Sequence, residues 1–156
     1  MQLLLLADYP QALPVVARWY FAEWAYISNA ASVDVVQAAL ERYLNTDRIP
    51  LMVVAVDGAD VIGAATLRYN NMRHYPEKEH WLGGVYVSAD HRNKGVATQL
   101  IRRIIALAEV LDVKVLHLLT EDLSGGLYSK LGWQPIERLQ YLDHEFLVME
   151  NTLGGH

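Results

Sequence analysis

The chain has no cysteine in 156 residues. That excludes a disulfide scaffold, thiolate-held zinc or iron–sulfur centres and a thiol nucleophile, and it points to a reducing, cytoplasmic setting. Proline is scarce at five residues. No Pro-, Gly- or Ser-rich stretch divides the sequence and no solenoid-period repeat runs through it, so a single domain spanning residues 1–156 is expected. Long hydrophobic runs are missing: the opening segment Leu3–Ala7 falls far short of the roughly 18 residues of a membrane span and has no basic flank for export. Positive charge is also short. Lys and Arg total 13 against 18 Asp and Glu, a net charge of −5, which opposes the nonspecific attraction that nucleic-acid binders rely on. What is present is a globular composition, 53% apolar and 20% charged, enough for one sizeable core.

Periodicity supplies the architecture. Gln2–Ala7 reads as a strand, and Asp8, Tyr9 and Pro10 open a helix over roughly 10–27, whose Leu13, Val16, Ala17, Tyr20, Trp24 and Ile27 recur at spacings of three and four. Pro14 is tolerable there only near the first turn. A second amphipathic series, Val33, Val36, Leu40, Tyr43 and Leu44, starts at a Ser32 cap. Leu51–Val56 and Val61–Tyr69 form a hairpin around Asp57-Gly58-Ala59-Asp60. Trp81–Val87 is another strand, in which Gly83-Gly84 marks a bulge or a close backbone approach. A helix carrying Val96, Leu100, Ile104, Leu107 and Leu111 then connects it to a strand at Val113–Thr120, and a strand–helix–strand unit of this kind favours parallel pairing. A short helix at Gly125–Leu131 ends on Gly132, and two last strands follow at 133–140 and 144–151.

The chemistry concentrates between the strand at Trp81–Val87 and the helix that follows it. Val85 to Ala97 runs from a strand through the basic loop Arg92-Asn93-Lys94-Gly95 into a helix start. Unpaired amides and the positive helix end converge at such a joint, which suits an anion such as a pyrophosphate. Taken alone, the commoner account of so short a glycine loop is a solvated basic turn.

The run Arg92-Asn93-Lys94-Gly95-Val96-Ala97 resembles the Arg/Gln-x-x-Gly-x-Gly/Ala loop of the GNAT superfamily of acyl-CoA-dependent N-acetyltransferases. Leu127-Tyr128-Ser129-Lys130-Leu131-Gly132-Trp133 is similar to that family's later Tyr-x-Lys-x-Gly-aromatic segment, in the same order and at a similar separation. The resemblance implies one α/β (α+β) domain with a mixed, mostly antiparallel sheet flanked by helices and splayed near Val87, where the coenzyme enters. It implies acetyl-CoA as co-substrate, held by the amides of Asn93, Lys94, Gly95, Val96, Ala97 and Thr98 with help from Arg92. It also implies that the pantetheine arm pairs with the backbone of Val85 and Val87, the Val85 amide facing the thioester oxygen in an oxyanion-type role. Tyr128 takes the part of the acid that protonates the departing thiolate, since a phenol with a reference pKa of about 10 is protonated at neutral pH. On general grounds a lone helix tyrosine is a core residue, and its place in the segment is what assigns it this role. A homodimer is the family-level expectation.

The acceptor is expected to be a primary amine, either a small molecule or a peptide amino terminus, attacking directly because no cysteine can carry an acyl group. In proteins of the family this chain resembles, the junction of the first two helices borders the acceptor site, so the resemblance places the aromatic helix at Trp19–Tyr26 and the stretch from Tyr69 through the 70–80 loop around it, with Trp24, Tyr26 and Tyr69 as candidate contacts. Some relatives carry a glutamate base on the strand before the loop. Here that position is Trp81, which leaves Glu79, His80, His117 or an ordered water to take the proton. The alternative to catalysis is an acyl-CoA-binding or sensing domain of the same fold. His74-Tyr75-Pro76-Glu77-Lys78-Glu79-His80 holds two histidines and two glutamates, but its spacing matches no common metal motif and no metal is expected.

Overall fold

A computed structural model describes residues 1–70 and 75–154. Seven strands form one sheet in the order β1-β2-β3-β4-β5-β7-β6. Strand β1 is Gln2–Leu5, β2 is Leu51–Asp57, β3 is Asp60–Tyr69, β4 is His80–Val87, β5 is Val115–Thr120, β6 is Gln134–Tyr141 and β7 is His144–Thr152. All neighbours pair antiparallel except β4 and β5, which are parallel. The helices are α1 (Leu13–Ser28), α2 (Val33–Leu40), α3 (Val96–Val110) and α4 (Gly126–Lys130). The mixed, mostly antiparallel sheet flanked by helices is the architecture expected from the sequence.

The two faces of the sheet bury different helices. Met52, Val54, Val56 and Ala64 pack against Leu13, Val16 and Ala17 of α1 and Val36 and Leu40 of α2. The alternate residues Leu51, Val53, Ala55, Ala65 and Leu67 pack against Val96, Leu100, Ile101, Ile104 and Ala108 of α3. Period two in the strands against period three to four in the helices produces this division, and each fully buried aliphatic side chain contributes about 1.5–3 kcal/mol. Gly63 lets α3 come close to the sheet, because a Cβ there would stand 3.0 Å from Leu100 Cδ1 and 3.2 Å from Val96 Cγ1.

Element boundaries depart from periodicity where hydrogen bonding intervenes. The first strand stops at Leu5, and Leu6–Asp8 and Pro10–Ala12 wind as 3₁₀ turns before α1 begins at Leu13 rather than at residue 10. Pro14 has no amide hydrogen with which to close a turn onto Pro10, so the α-helical ladder cannot start earlier. The second helix tightens into a 3₁₀ turn at Glu41–Tyr43. Its Ser32 cap is as expected, the Oγ accepting from the Val35 amide at 3.4 Å. Strand β5 starts at Val115 instead of Val113, since the Val113 amide is used to close the end of α3 onto the Ala108 carbonyl at 2.9 Å.

One break in the sheet positions everything that follows. Strands β5 and β7 pair from Val115 to Thr120, but β4 and β5 pair only at Trp81 and His117. Beyond Trp81 the two strands part, and the β5-facing edge of β4 borders a gap. The register of β3 against β4 slips between Ala64 and Thr66, which face Tyr86 and Gly83, so Gly84 and Val85 form a bulge, with Gly84 at φ +57°. A bulge bends its strand and raises the local twist. Gly83-Gly84 therefore marks both the bulge and a close approach, because Tyr20 of α1 sits where a Gly84 Cβ would go.

Candidate active site

At the open end of the gap lies a cavity of about 710 Å³. One wall is the loop after β4 and the start of α3, with Val87, Arg92, Asn93, Gly95, Val96, Ala97 and Thr98; the other is Ser124, Gly126, Leu127, Ser129 and Lys130 at α4. The first wall is made of backbone. Gly95 at φ +80° caps α3 without a side chain, and Asn93 also has positive φ, at 63°. The first hydrogen bond of the helix runs from Gln99 N to Gly95 O at 3.1 Å, so among the described residues the amides of Val96, Ala97 and Thr98 have no intrahelical acceptor. A Cβ on Gly95 would meet nothing within 4 Å, so the space beside these amides is open.

The charge of the cavity runs against that of the chain. Arg92 and Lys130 line it and, among the described residues, no aspartate or glutamate does, although the protein carries −5 overall. The positive end of α3 adds to the same field. The Nε of Arg92 donates to the Val87 carbonyl at 3.0 Å and its guanidinium lies 5.5 Å from the centre of the Tyr86 ring, which pins the loop to the end of β4. Ser88 and His91 close the same turn, Oγ to Nδ1 at 2.7 Å. On the opposite wall Ser124 bonds Asp122 through both its amide and its hydroxyl, and Ser129 Oγ donates to Ser124 O at 3.2 Å. The hydrogen bonds from Ser124 hold the Asp122 carboxyl below the usual range.

Of the residues expected at the coenzyme site, Val87, Arg92, Asn93, Gly95, Val96, Ala97 and Thr98 border this one cavity, whereas Lys94 is exposed and Val85 lies deeper, at the bulge. Tyr128 stands on α4, between the cavity-lining Leu127 and Ser129, half-buried with its ring edge-on to Trp133 at 6.2 Å. Burial pushes its phenol up to about 12. Its hydroxyl has no hydrogen-bond partner among the described residues and is not sealed from solvent.

The α1 face of the gap is built from side chains. Tyr20 Oη donates to Gly84 O at 2.5 Å, and burial raises its phenol strongly, with Tyr43 adding and Arg68 opposing. A trans peptide is planar with its N–H opposed to its C=O, so this bond turns the Val85 amide away from Tyr20. Trp24 meets Tyr20 and Tyr86 edge-on at 5.1 and 6.3 Å, and Trp19 stacks on Tyr86 at 5.0 Å. Tyr26 is exposed, hydrogen-bonds Glu121 beyond the end of β5 and touches His144 at 4.8 Å. Helix α1 thus bridges the gap from β4 to β5. Tyr69 is not part of this group: it pairs with His80 at the far end of β4, its ring tilted against the imidazole at 5.5 Å between centres.

The groups named for taking a proton are spread out. Trp81 is buried in contact with Tyr75 and His117. Glu79 pairs with His80 at 3.2 Å. His117 is buried, its Nε2 3.0 Å from Glu150 Oε2 and its Nδ1 unpartnered among the described residues. Burial lowers its pKa, and Glu150 opposes the shift. His74 and the other residues of 71–74 fall outside the described residues. Sequence reasoning missed Ser124, Ser129 and His91, whose only local signal is their proximity to glycines at 125, 126 and 95.

A family model described as the acetyltransferase (GNAT) family matches residues 13–133. The chain belongs to the GNAT acetyltransferase family. Solved structures agree on the fold of this GNAT protein. An aminoglycoside 6'-N-acetyltransferase complexed with coenzyme A superposes with a TM-score of 0.76 at 15% identity, over 97% of each chain. A ribosomal-protein-alanine N-acetyltransferase from Brucella melitensis gives 0.75 at 19%, over 98% of this chain and 100% of the other. A Salmonella typhimurium protein with its cofactor acetyl-CoA also gives 0.75 at 19%, over 99% and 95%. No curated protein sequence matches significantly. Among the described residues no helix is long and apolar enough to cross a membrane, and no cluster of three or more potential metal ligands occurs.

Proposed function

We propose that this GNAT protein transfers an acetyl group from acetyl-CoA to a primary amine, by direct attack with both substrates bound. The observation that carries the reading is the cavity of about 710 Å³ between the uncapped start of α3 and α4, positive within an acidic chain and opening onto the splayed strands. Three free amides, an αL glycine with open space beside it and two flanking cations fit a diphosphate. The coenzyme supplies an acetyl thioester, and the remaining chemistry falls to the chain. The Val85 N–H, turned away from α1 by the Tyr20 bond, is the donor for the carbonyl oxygen as charge develops there. Tyr128 Oη gives a proton to the sulfur as the C–S bond breaks and the N–C bond forms, and the proton lost by the amine restores the phenol through solvent. Burial suits Tyr128 to this, because a phenol raised to about 12 is protonated at any physiological pH.

The second reading, a coenzyme-binding sensor, draws on one observation. Strand β4 contains no carboxylate, and Trp81 fills a core position where a base would be useful. Release of free CoA in the presence of a panel of amines separates the two. An enzyme yields thiol in proportion to acetylated amine, whereas a sensor is stabilised thermally by acetyl-CoA and releases no thiol above background.

A further inference from the structure

Arg68 has a place in the gap that the reaction outlined above does not use. It pairs with Trp81 across β3 and β4, so its side chain rises on the α1 face, and its guanidinium lies flat over the backbone of Gly83. A Cβ at Gly83 would stand 2.7 Å from Arg68 Cζ and Nε and 2.8 Å from Nη2, so any side chain there would force the guanidinium to shift. Its charge is felt by the Tyr20 hydroxyl, so it belongs to the same chamber as Tyr20, Trp24 and Tyr86. Arg68 is half-buried, yet among the described residues it forms no ion pair and stacks on no ring. A guanidinium partly withdrawn from bulk water and left without an anion can take one, and its planar fork matches a carboxylate bidentately.

We propose that Arg68 binds the carboxylate of the acceptor, making the acceptor a free α-amino acid rather than a polycationic amine or an internal peptide amino terminus. The proposal rests on the amine-acetylation reading above. Gly83, under the guanidinium, and Val85, the proposed amide donor, are separated only by the bulged Gly84, so they lie no more than roughly 7 Å apart. That distance accommodates one guanidinium–carboxylate contact plus the short step from a carboxylate to an α-nitrogen. Trp24, Tyr20 and Tyr86 then offer an aromatic wall to an apolar amino-acid side chain.

The test uses matched acceptors that differ in the carboxylate alone: L-phenylalanine with phenethylamine, and L-leucine with isoamylamine. Each is measured twice in the presence of acetyl-CoA, by thiol release and, independently of turnover, by binding through the fluorescence of Trp19 and Trp24. The wild type should favour the amino acid by about 10- to 100-fold in kcat/KM and in affinity, the range for a hydrogen-bonded charge pair. Arg68→Gln should bring both preferences to within about twofold while acetyl-CoA affinity and the melting temperature hold. Arg68→Lys should fall between. Equal or undetectable binding of both members by the wild type, or a preference that survives in Arg68→Gln, overturns the proposal. Amine acetylation without carboxylate preference overturns it and leaves the acetyltransferase reading intact. Carboxylate-dependent binding with no thiol release from any amine supports the Arg68 site and overturns the transferase reading instead.

Discussion

The two sides of the gap between β4 and β5 are made of different material. On the α3 side the cavity presents main-chain amides, freed by a glycine that caps without a side chain. On the α1 side the gap is bordered by side chains brought from afar, Tyr20 to Gly84 across 64 residues and Tyr26 to Glu121 across 95. A site of amides recognises what every coenzyme molecule shares, and it tolerates sequence change so long as the backbone path is kept. A site of side chains can be rebuilt residue by residue for a new acceptor. On the proposed reading, the fold separates a constant function from a variable one by the chemistry of the two walls.

The largest expected effect comes from breaking the amide wall. Gly95→Glu puts a carboxylate beside the three amides and an L residue at φ +80°, and should weaken acetyl-CoA binding at least about 100-fold by calorimetry. Gly95→Ala carries the backbone strain of about 1–2 kcal/mol without the charge, so the difference between the two variants isolates the electrostatic part. Next comes Tyr128→Phe. With Tyr128 as the proposed acid for the leaving sulfur, its loss should lower kcat by about 10²- to 10⁴-fold with KM for acetyl-CoA nearly unchanged. Since the hydroxyl has no partner among the described residues, thermal stability should hardly move. With that phenol pushed up to about 12, its deprotonation should not lower the rate anywhere between pH 7 and 10, as a pH–rate profile will show.

On the side-chain wall the effects should be smaller and of another kind. Tyr20→Phe strips the Gly84 carbonyl of its donor, and leaving such a group unpaired costs about 1–3 kcal/mol, measurable by urea unfolding. The freed peptide should also reduce kcat more than coenzyme affinity. The smallest effect concerns pH. His117 has a lowered pKa through burial, so the unfolded chain takes up the proton first; stability contributed by neutral His117 is present above about pH 6.5 and is lost as pH falls through its folded value. His117→Gln should flatten that acid limb of the stability curve.

The same contrast explains what could be read from the sequence. The loop at Arg92–Ala97 and the turn at Leu131-Gly132 were legible because a backbone-built feature needs particular residues at adjacent positions, and Gly132 does take a left-handed φ of +89°. The single parallel pair followed from one helical crossover, whereas the place of β7 between β5 and β6 rests on long-range pairing that no local pattern announces. The start of α1, by contrast, is set by an amide that Pro14 lacks, which a hydrophobic period does not register. Arg68 looked like any charged residue at a strand end, and nothing near it in sequence announces that Gly83 clears its path. Tyr20 was read as core by its spacing; it is half-buried and packs against the core, while its hydroxyl has a separate task at the bulge.

The most direct measurement is a titration of isotopically labelled protein with acetyl-CoA, followed by amide chemical shifts. The amides of Gly95, Val96, Ala97 and Thr98 should show the largest changes and saturate together with the coenzyme. Saturation with those four amides unmoved would contradict the account.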